Sequence, residues 1–111
     1  VLLNNADRKG GHVLAGLDGA VYGVDHGICL HHEDKLRTVL WGFLGEPLPT
    51  SVLAVLRRVR SELDARLGVA LAEHLTRTEL KALQQRTDRL LATEMFPAPD
   101  GAWPAIPWPA F

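Results

Sequence analysis

The chain has 111 residues, 47% of them apolar, with a formal net charge of −1. That is enough for one modest domain and too apolar for a disordered tail. The near-neutral balance gives no electrostatic pull toward nucleic acid or an anionic membrane, and no apolar run approaches the roughly 20 residues of a membrane-spanning helix. One cysteine, Cys29, excludes an internal disulfide and any CxxC zinc pattern, and fits a reducing, cytoplasmic setting. No secretory leader is visible. The only Met is Met95, and Arg outnumbers Lys by nine to three. The first suggests a fragment whose N-terminal half lies upstream; the second suggests a GC-rich bacterial origin.

In chain order, residues 1–3 read as a helix or strand end. Residues 4–12, "NNADRKGGH", form a polar loop. Two apolar runs follow, His12–Leu17 and Ala20–Val24, separated by Asp18-Gly19, the signal for a hairpin with a two-residue turn over 12–24. A second polar loop, 25–34, reads "DHGICLHHED". The stretch "KLRTVLWGF" suggests a short helix. After Gly45-Glu46-Pro47-Leu48-Pro49, Thr50 or Ser51 can cap a helix running to about Leu67, with a stripe of Val52, Leu56, Val59, Leu63 and Leu67, and Gly68 ending it. "VALAEHL" is a short helical piece. Thr76 and Glu79 form a capping-box pair for a helix whose apolar side holds Leu80, Leu83, Leu90, Leu91 and Met95, with Gln84, Gln85, Arg86, Asp88 and Arg89 facing mostly away. Five prolines within 97–111 make that tail extended, and Trp103, Ile106, Trp108 and Phe111 are expected to dock on the domain.

The expected fold is therefore α+β, one hairpin followed by three or four helices (residues 1–96) and a Pro/Trp-rich extended tail (97–111). The hairpin carries the chemistry. Asp7 precedes its first strand and Asp25 follows its second, so its open end is expected to bring both carboxylates to one edge, close enough to share a cation. Two carboxylates with His12, beside the basic Arg8 and Lys9, suit a metal-bound phosphate. The bland alternatives are a loop ion pair at Asp7-Arg8, a solvated Lys9, a structural His12 and a C-cap at Asn4-Asn5. A zinc site from His26, Cys29, His31, His32, Glu33 and Asp34 has poor spacing, because adjacent His31 and His32 point to opposite faces if extended. His26 is expected to pack in the loop, and the cluster Arg57, Arg58 and Arg60 reads as a solvated helix face.

"NNADRKGGHVL" followed by "GVDHG" resembles the catalytic loop and metal loop of the protein-kinase-like fold. The variant it is most similar to is the phosphatidylinositol 3-/4-kinase-like group, whose catalytic loop reads D-R-x-x-x-N, with the bacterial HipA-type kinases nearby. "DKLRTVLWGFLGEPLP" and "PAIPWPAF" resemble an actinobacterial branch of that group. The aspartates are 25 − 7 = 18 residues apart, similar to the kinase spacing. The resemblance is specific over residues 4–27; beyond them it implies only a kinase-like C-lobe.

On that resemblance Asp7 is the catalytic aspartate that orients or deprotonates a hydroxyl. Asp25 holds Mg²⁺ against ATP phosphates, Gly27 is the hinge glycine, and Lys9, with Arg8, faces phosphate. His12 stands where the family has Asn as second metal ligand. Imidazole suits softer ions than Mg²⁺, which leaves Mn²⁺ or a single ion open. No phosphate-cradling glycine loop or strand Lys is present, so the resemblance implies a C-lobe without its ATP-binding N-lobe, inactive alone. The implied function is ATP-dependent transfer of a phosphoryl group to an unidentified hydroxyl, with a nucleotide and that substrate as partners. A degenerate nucleotide- or partner-binding module and a metal-dependent hydrolase are the alternatives.

Overall fold

Thr76 and Glu79 open the longest helix as the capping box requires. The Thr76 hydroxyl accepts from Glu79 N at 3.2 Å, and the Glu79 carboxylate accepts from Thr76 N at 2.8 Å. The computed structural model describes residues 1–111 and is α+β: a two-stranded antiparallel sheet and three α-helices. The strands are β1 (Val13–Ala15) and β2 (Val21–Gly23); the helices are α1 (Thr50–Leu63), α2 (Arg66–Leu71) and α3 (Arg77–Thr93).

The hairpin forms where its turn signal stands, with Val13 opposite Gly23, Leu14 opposite Tyr22 and Ala15 opposite Val21. Its loop holds three residues, Leu17, Asp18 and Gly19, and not two. Gly16 N donates to Ala20 O and Gly19 N donates to Gly16 O, with Gly19 at φ 80°. A type I turn closed by a left-handed residue gives this longer loop, and Asp18 favours it by accepting from Ala20 N and the Tyr22 hydroxyl.

"KLRTVLWGF" is not a helix. Its backbone is taken by the N-terminal loop: Arg8 N donates to Arg37 O, Val39 N donates to Arg8 O, and Arg8 pairs with Thr38 as a parallel bridge. Only a 3-10 turn, Trp41–Phe43, remains. Tertiary pairing outweighs the weak helical propensity of a segment with Thr38, Val39 and Gly42.

α1 starts with Pro49 at its N-cap and no side-chain cap, so neither Thr50 nor Ser51 plays that part. It stops at Leu63 rather than Leu67. Gly68 lies buried inside α2 and does not terminate a helix. The buried stripe of α1 is Leu53, Leu56 and Leu63, with Val52 exposed. On α3, Leu83 and Leu90 are buried as the period requires, but so are Ala82, Arg86 and Thr87; Met95 is exposed. α1 packs on α3, and Leu48, Leu53, Leu56 and Leu90 form the core, with Leu2, Leu91 and Phe96 against it.

Residues 1–3 form a turn rather than a helix or strand end. The tail has no helix or strand, and its aromatics dock only in part: Trp103 lies under Lys35 Nζ, 5.0 Å from the ring centroid, and the Phe111 ring edges against Gly10. Trp108 and Phe111 are about nine-tenths exposed, and Pro107 is the buried residue. The tail is held by its backbone. Thr38 N and Trp41 Nε1 both donate to Ala105 O, at 3.0 and 2.8 Å, and Gly10 N donates to Ala110 O at 3.0 Å.

The bend between α1 and α2 presses Gly68 against the Leu63 carbonyl, and a Cβ there would overlap that oxygen. Gly68→Ala is therefore expected to lower stability by roughly 1–3 kcal/mol despite alanine's better helix propensity. Urea unfolding checks this; an unchanged or raised midpoint would contradict the close approach.

Candidate functional site

Asn4 and Asn5 set the path of the first polar loop. Asn4 sits in the left-handed region (φ 53°), which Asn tolerates, and is almost fully buried. Its Nδ2 donates to His31 O and Glu33 O, and its Oδ1 accepts from Lys35 N. Leu30 N donates to Leu3 O and Ala6 N to Ile28 O, so the loops 4–12 and 25–34 run together. Asn5 Oδ1 accepts from Asp7 N at 2.8 Å, an Asx turn that orients the Asp7 backbone. These asparagines are clamps between segments distant in sequence, which the C-cap reading does not describe.

Asp7 and Asp25 each lie against a different cationic or titratable neighbour. Asp7 Oδ2 is 3.7 Å from Lys9 Nζ. His12 Nε2 is 3.5 Å from Asp25 Oδ2. His12 ends the 3-10 turn Gly10–His12 and its Nδ1 accepts from Lys9 N at 3.4 Å, which leaves Nε2 to face the carboxylate. Asp25 turns the chain at the end of β2 with φ 56°. The hairpin thus joins His12 to Asp25, while the expected sharing of one cation by Asp7 and Asp25 gives way to two separate pairs.

Arg8 is spent on the backbone. Its Nη1 donates to His12 O at 3.1 Å and to Val24 O at 2.6 Å, tying the two ends of the hairpin together. That removes one face of its guanidinium from phosphate. Gly27 has no positive φ, and a Cβ there would meet Asp25 Oδ1 at an ordinary 3.7 Å. His26 is exposed rather than packed and lines a cleft of about 450 Å³ with Asn5, Arg8, Leu40 and Phe43. His31 and His32 stack on each other, ring centroids 4.4 Å apart, instead of pointing to opposite faces. Arg60 joins Asp64 and Asp88 in ion pairs at 2.7 and 2.6 Å.

Because His12 Nδ1 accepts from Lys9 N, its Nε2 carries a hydrogen and faces Asp25 as a donor, so of this pair the Asp25 carboxylate is the one that offers a cation a lone pair. No group of three His, Cys, Asp or Glu comes together that could hold a metal ion. One carboxylate beside an imidazole N–H does not make a structural metal site held by protein alone.

Arg86, expected to face solvent, is 5% exposed. Its Nε donates to Leu2 O and its Nη1 to His31 O, both at 3.1 Å, so α3 grips the N-terminal turn and the 25–34 loop. Its position was legible: 86 is three after Leu83 and four before Leu90, on the apolar face. Asp34 lies 3.9 Å from Arg86 and receives both guanidinium nitrogens of Arg89, at 2.8 and 2.9 Å. The Arg89 hydrogen bond holds the Asp34 carboxyl below its usual range. In the unfolded chain that carboxyl titrates near its ordinary value of about 3.9. Its contribution is present above that pH and is lost as pH falls through the lower folded value. Stability is accordingly expected to fall on acidification below about pH 4, and Asp34→Asn to flatten part of that fall. Unfolding curves at pH 7 and 3 measure this; equal acid sensitivity in both proteins would remove Asp34 from the account.

No family model matches this chain, and no solved structure matches it. It is 52% identical, over all 111 residues, to Protein Rv2133c of Mycobacterium tuberculosis (strain ATCC 25618 / H37Rv). The chain spans 40% of that relative's length.

Proposed function

We propose that this chain carries the catalytic and metal loops of an ATP-dependent phosphotransferase of the phosphatidylinositol-kinase-like group. The observation that supports the reading best is the His12–Asp25 approach at 3.5 Å, on the two loops whose sequences resemble those of the group. The Asp7–Lys9 pair beside it supplies a carboxylate and a phosphate-neutralising charge. Nucleotide-holding sequence would lie in the remainder of longer polypeptides of this kind, since 60% of the relative, the complement of the matched 40%, lies outside the match.

In this reading Asp25 would hold Mg²⁺ or Mn²⁺, with His12 as second ligand once its Nε2 gives up its hydrogen, and the ion would neutralise charge on the ATP phosphates. Asp7 orients the acceptor hydroxyl and takes its proton. The hydroxyl oxygen bonds to the γ-phosphorus as the bond from that phosphorus to the β–γ bridging oxygen breaks, and ADP leaves with that electron pair. Lys9, 3.7 Å from Asp7, would supply positive charge to the phosphates. A nucleotide- or partner-binding module without turnover is the second reading; its support is His12 standing where the group has Asn, already facing Asp25.

γ-Phosphate transfer by the full-length protein with Mg²⁺ or Mn²⁺ tests this. Asp7→Asn and Asp25→Asn are each expected to reduce turnover by about 100-fold or more, and His12→Asn to shift metal preference from Mn²⁺ toward Mg²⁺. Nucleotide binding with no turnover under either metal would select the module, and turnover surviving both aspartate substitutions would place the chemistry elsewhere.

A further inference from the structure

The peptide group that leads into Asp7 is held by side chains at both of its polar ends. Its N–H, that of Asp7, donates to Asn5 Oδ1 at 2.8 Å. Its carbonyl, that of Ala6, accepts from Arg37 Nε at 2.6 Å. The peptide group that follows Asp7 is held as well, because Arg8 N donates to Arg37 O at 3.0 Å. Arg37 N in turn donates to Asn5 O at 3.1 Å. Arg37 therefore grips the backbone on both sides of Asp7, once through its side chain and twice through its main chain.

The main-chain bonds could be made by almost any residue at this position; the side-chain bond needs a long donor. Ala6 is buried outside any helix or strand, and Arg37 gives its carbonyl a charge-assisted partner. Arg37 takes part in none of the chain's ion pairs, so its charge is not there to neutralise a carboxylate. A guanidinium is planar and its N–H directions are fixed, which an ammonium on a flexible stem does not offer. Held this way, the Ala6–Asp7 peptide plane cannot rotate freely, and rotation of that plane is what would swing the Asp7 side chain. We propose that Arg37 is the positioning residue of Asp7, locking the preceding peptide so that the carboxylate is presented to the acceptor hydroxyl. This inference rests on the phosphotransferase reading, in which Asp7 orients that hydroxyl. Arg37 acts through the backbone alone, so its contribution falls on turnover and not on affinity for ATP.

The full-length protein carries the test, with γ-phosphate transfer from ATP read beside urea unfolding. Arg37→Met keeps an unbranched stem and removes the donor. It is expected to lower kcat by about 10- to 100-fold while KM for ATP stays within about twofold of the parent. Arg37→Lys restores a donor without the rigid fork and is expected to fall between the two. A residue that only stabilised the fold would lower the urea midpoint and leave kcat of the folded protein unchanged. A measurement on the parent protein decides the matter if Arg37→Met does not fold. Its Arg37 Nε–H is expected to exchange with water at least about tenfold more slowly than those of the exposed Arg58 and Arg66, read by heteronuclear NMR. Four results would overturn the inference alone while Asp7→Asn still abolishes turnover: unchanged kcat in folded Arg37→Met, a loss carried by KM for ATP instead, Arg37→Lys no faster than Arg37→Met, or an Arg37 Nε–H that exchanges as fast as that of Arg58. No transfer by the parent with Mg²⁺ or Mn²⁺ would overturn the phosphotransferase reading and this inference with it.

Discussion

A guanidinium buried on the face of a helix must replace its water with protein acceptors, because an unsolvated cation costs more than folding of a small domain can supply. Arg86 meets that demand with the carbonyls of Leu2 and His31. Those carbonyls belong to two chain segments that share no regular secondary structure with α3. The electrostatic requirement of one side chain therefore decides where the N-terminal segment and the 25–34 loop can lie. Asn4 completes the junction from the other side, with three hydrogen bonds into residues 31–35.

The candidate site inherits its geometry from that junction. With loops 4–12 and 25–34 laid side by side, the hairpin leaves from their ends and returns to them. Arg8 then closes its base by donating to both His12 O and Val24 O. His12 and Asp25 face each other because they flank this clamp, one on either side of a short antiparallel pair. The hairpin itself contributes little burial: Val13, Leu14, Val21 and Tyr22 are all exposed. An isolated two-stranded ribbon has marginal stability in water, so hydrogen bonds at its base hold it more than packing does.

Local signals were readable where the physics is local. The Thr76–Glu79 capping box, the hairpin turn near Asp18-Gly19 and the helical period of Leu83 and Leu90 involve residues within a few positions of one another. They survive in the structure for that reason. The failures are non-local. "KLRTVLWGF" lost its helix to backbone pairing with residue 8, thirty positions away (38 − 8 = 30). Trp108 and Phe111 stayed mostly exposed, and the Ala105 and Ala110 carbonyls anchor the tail by accepting from residues of the domain. Arg86 was assigned to solvent by residue type alone, although its spacing from Leu83 and Leu90 placed it on the buried face.

The amino-acid order by itself determined the α+β class, the helix start at Thr76, the hairpin and the presence of two acidic loops at its open end. Short-range spacing and capping chemistry are enough to specify these. Only the tertiary structure decided which charges meet. It set Asp25 against His12 and Asp7 against Lys9, turned Arg8 onto the backbone, and buried Arg86 with one nitrogen unspent. Such pairings depend on distances between segments far apart in the chain, and those distances exist only once the chain has packed.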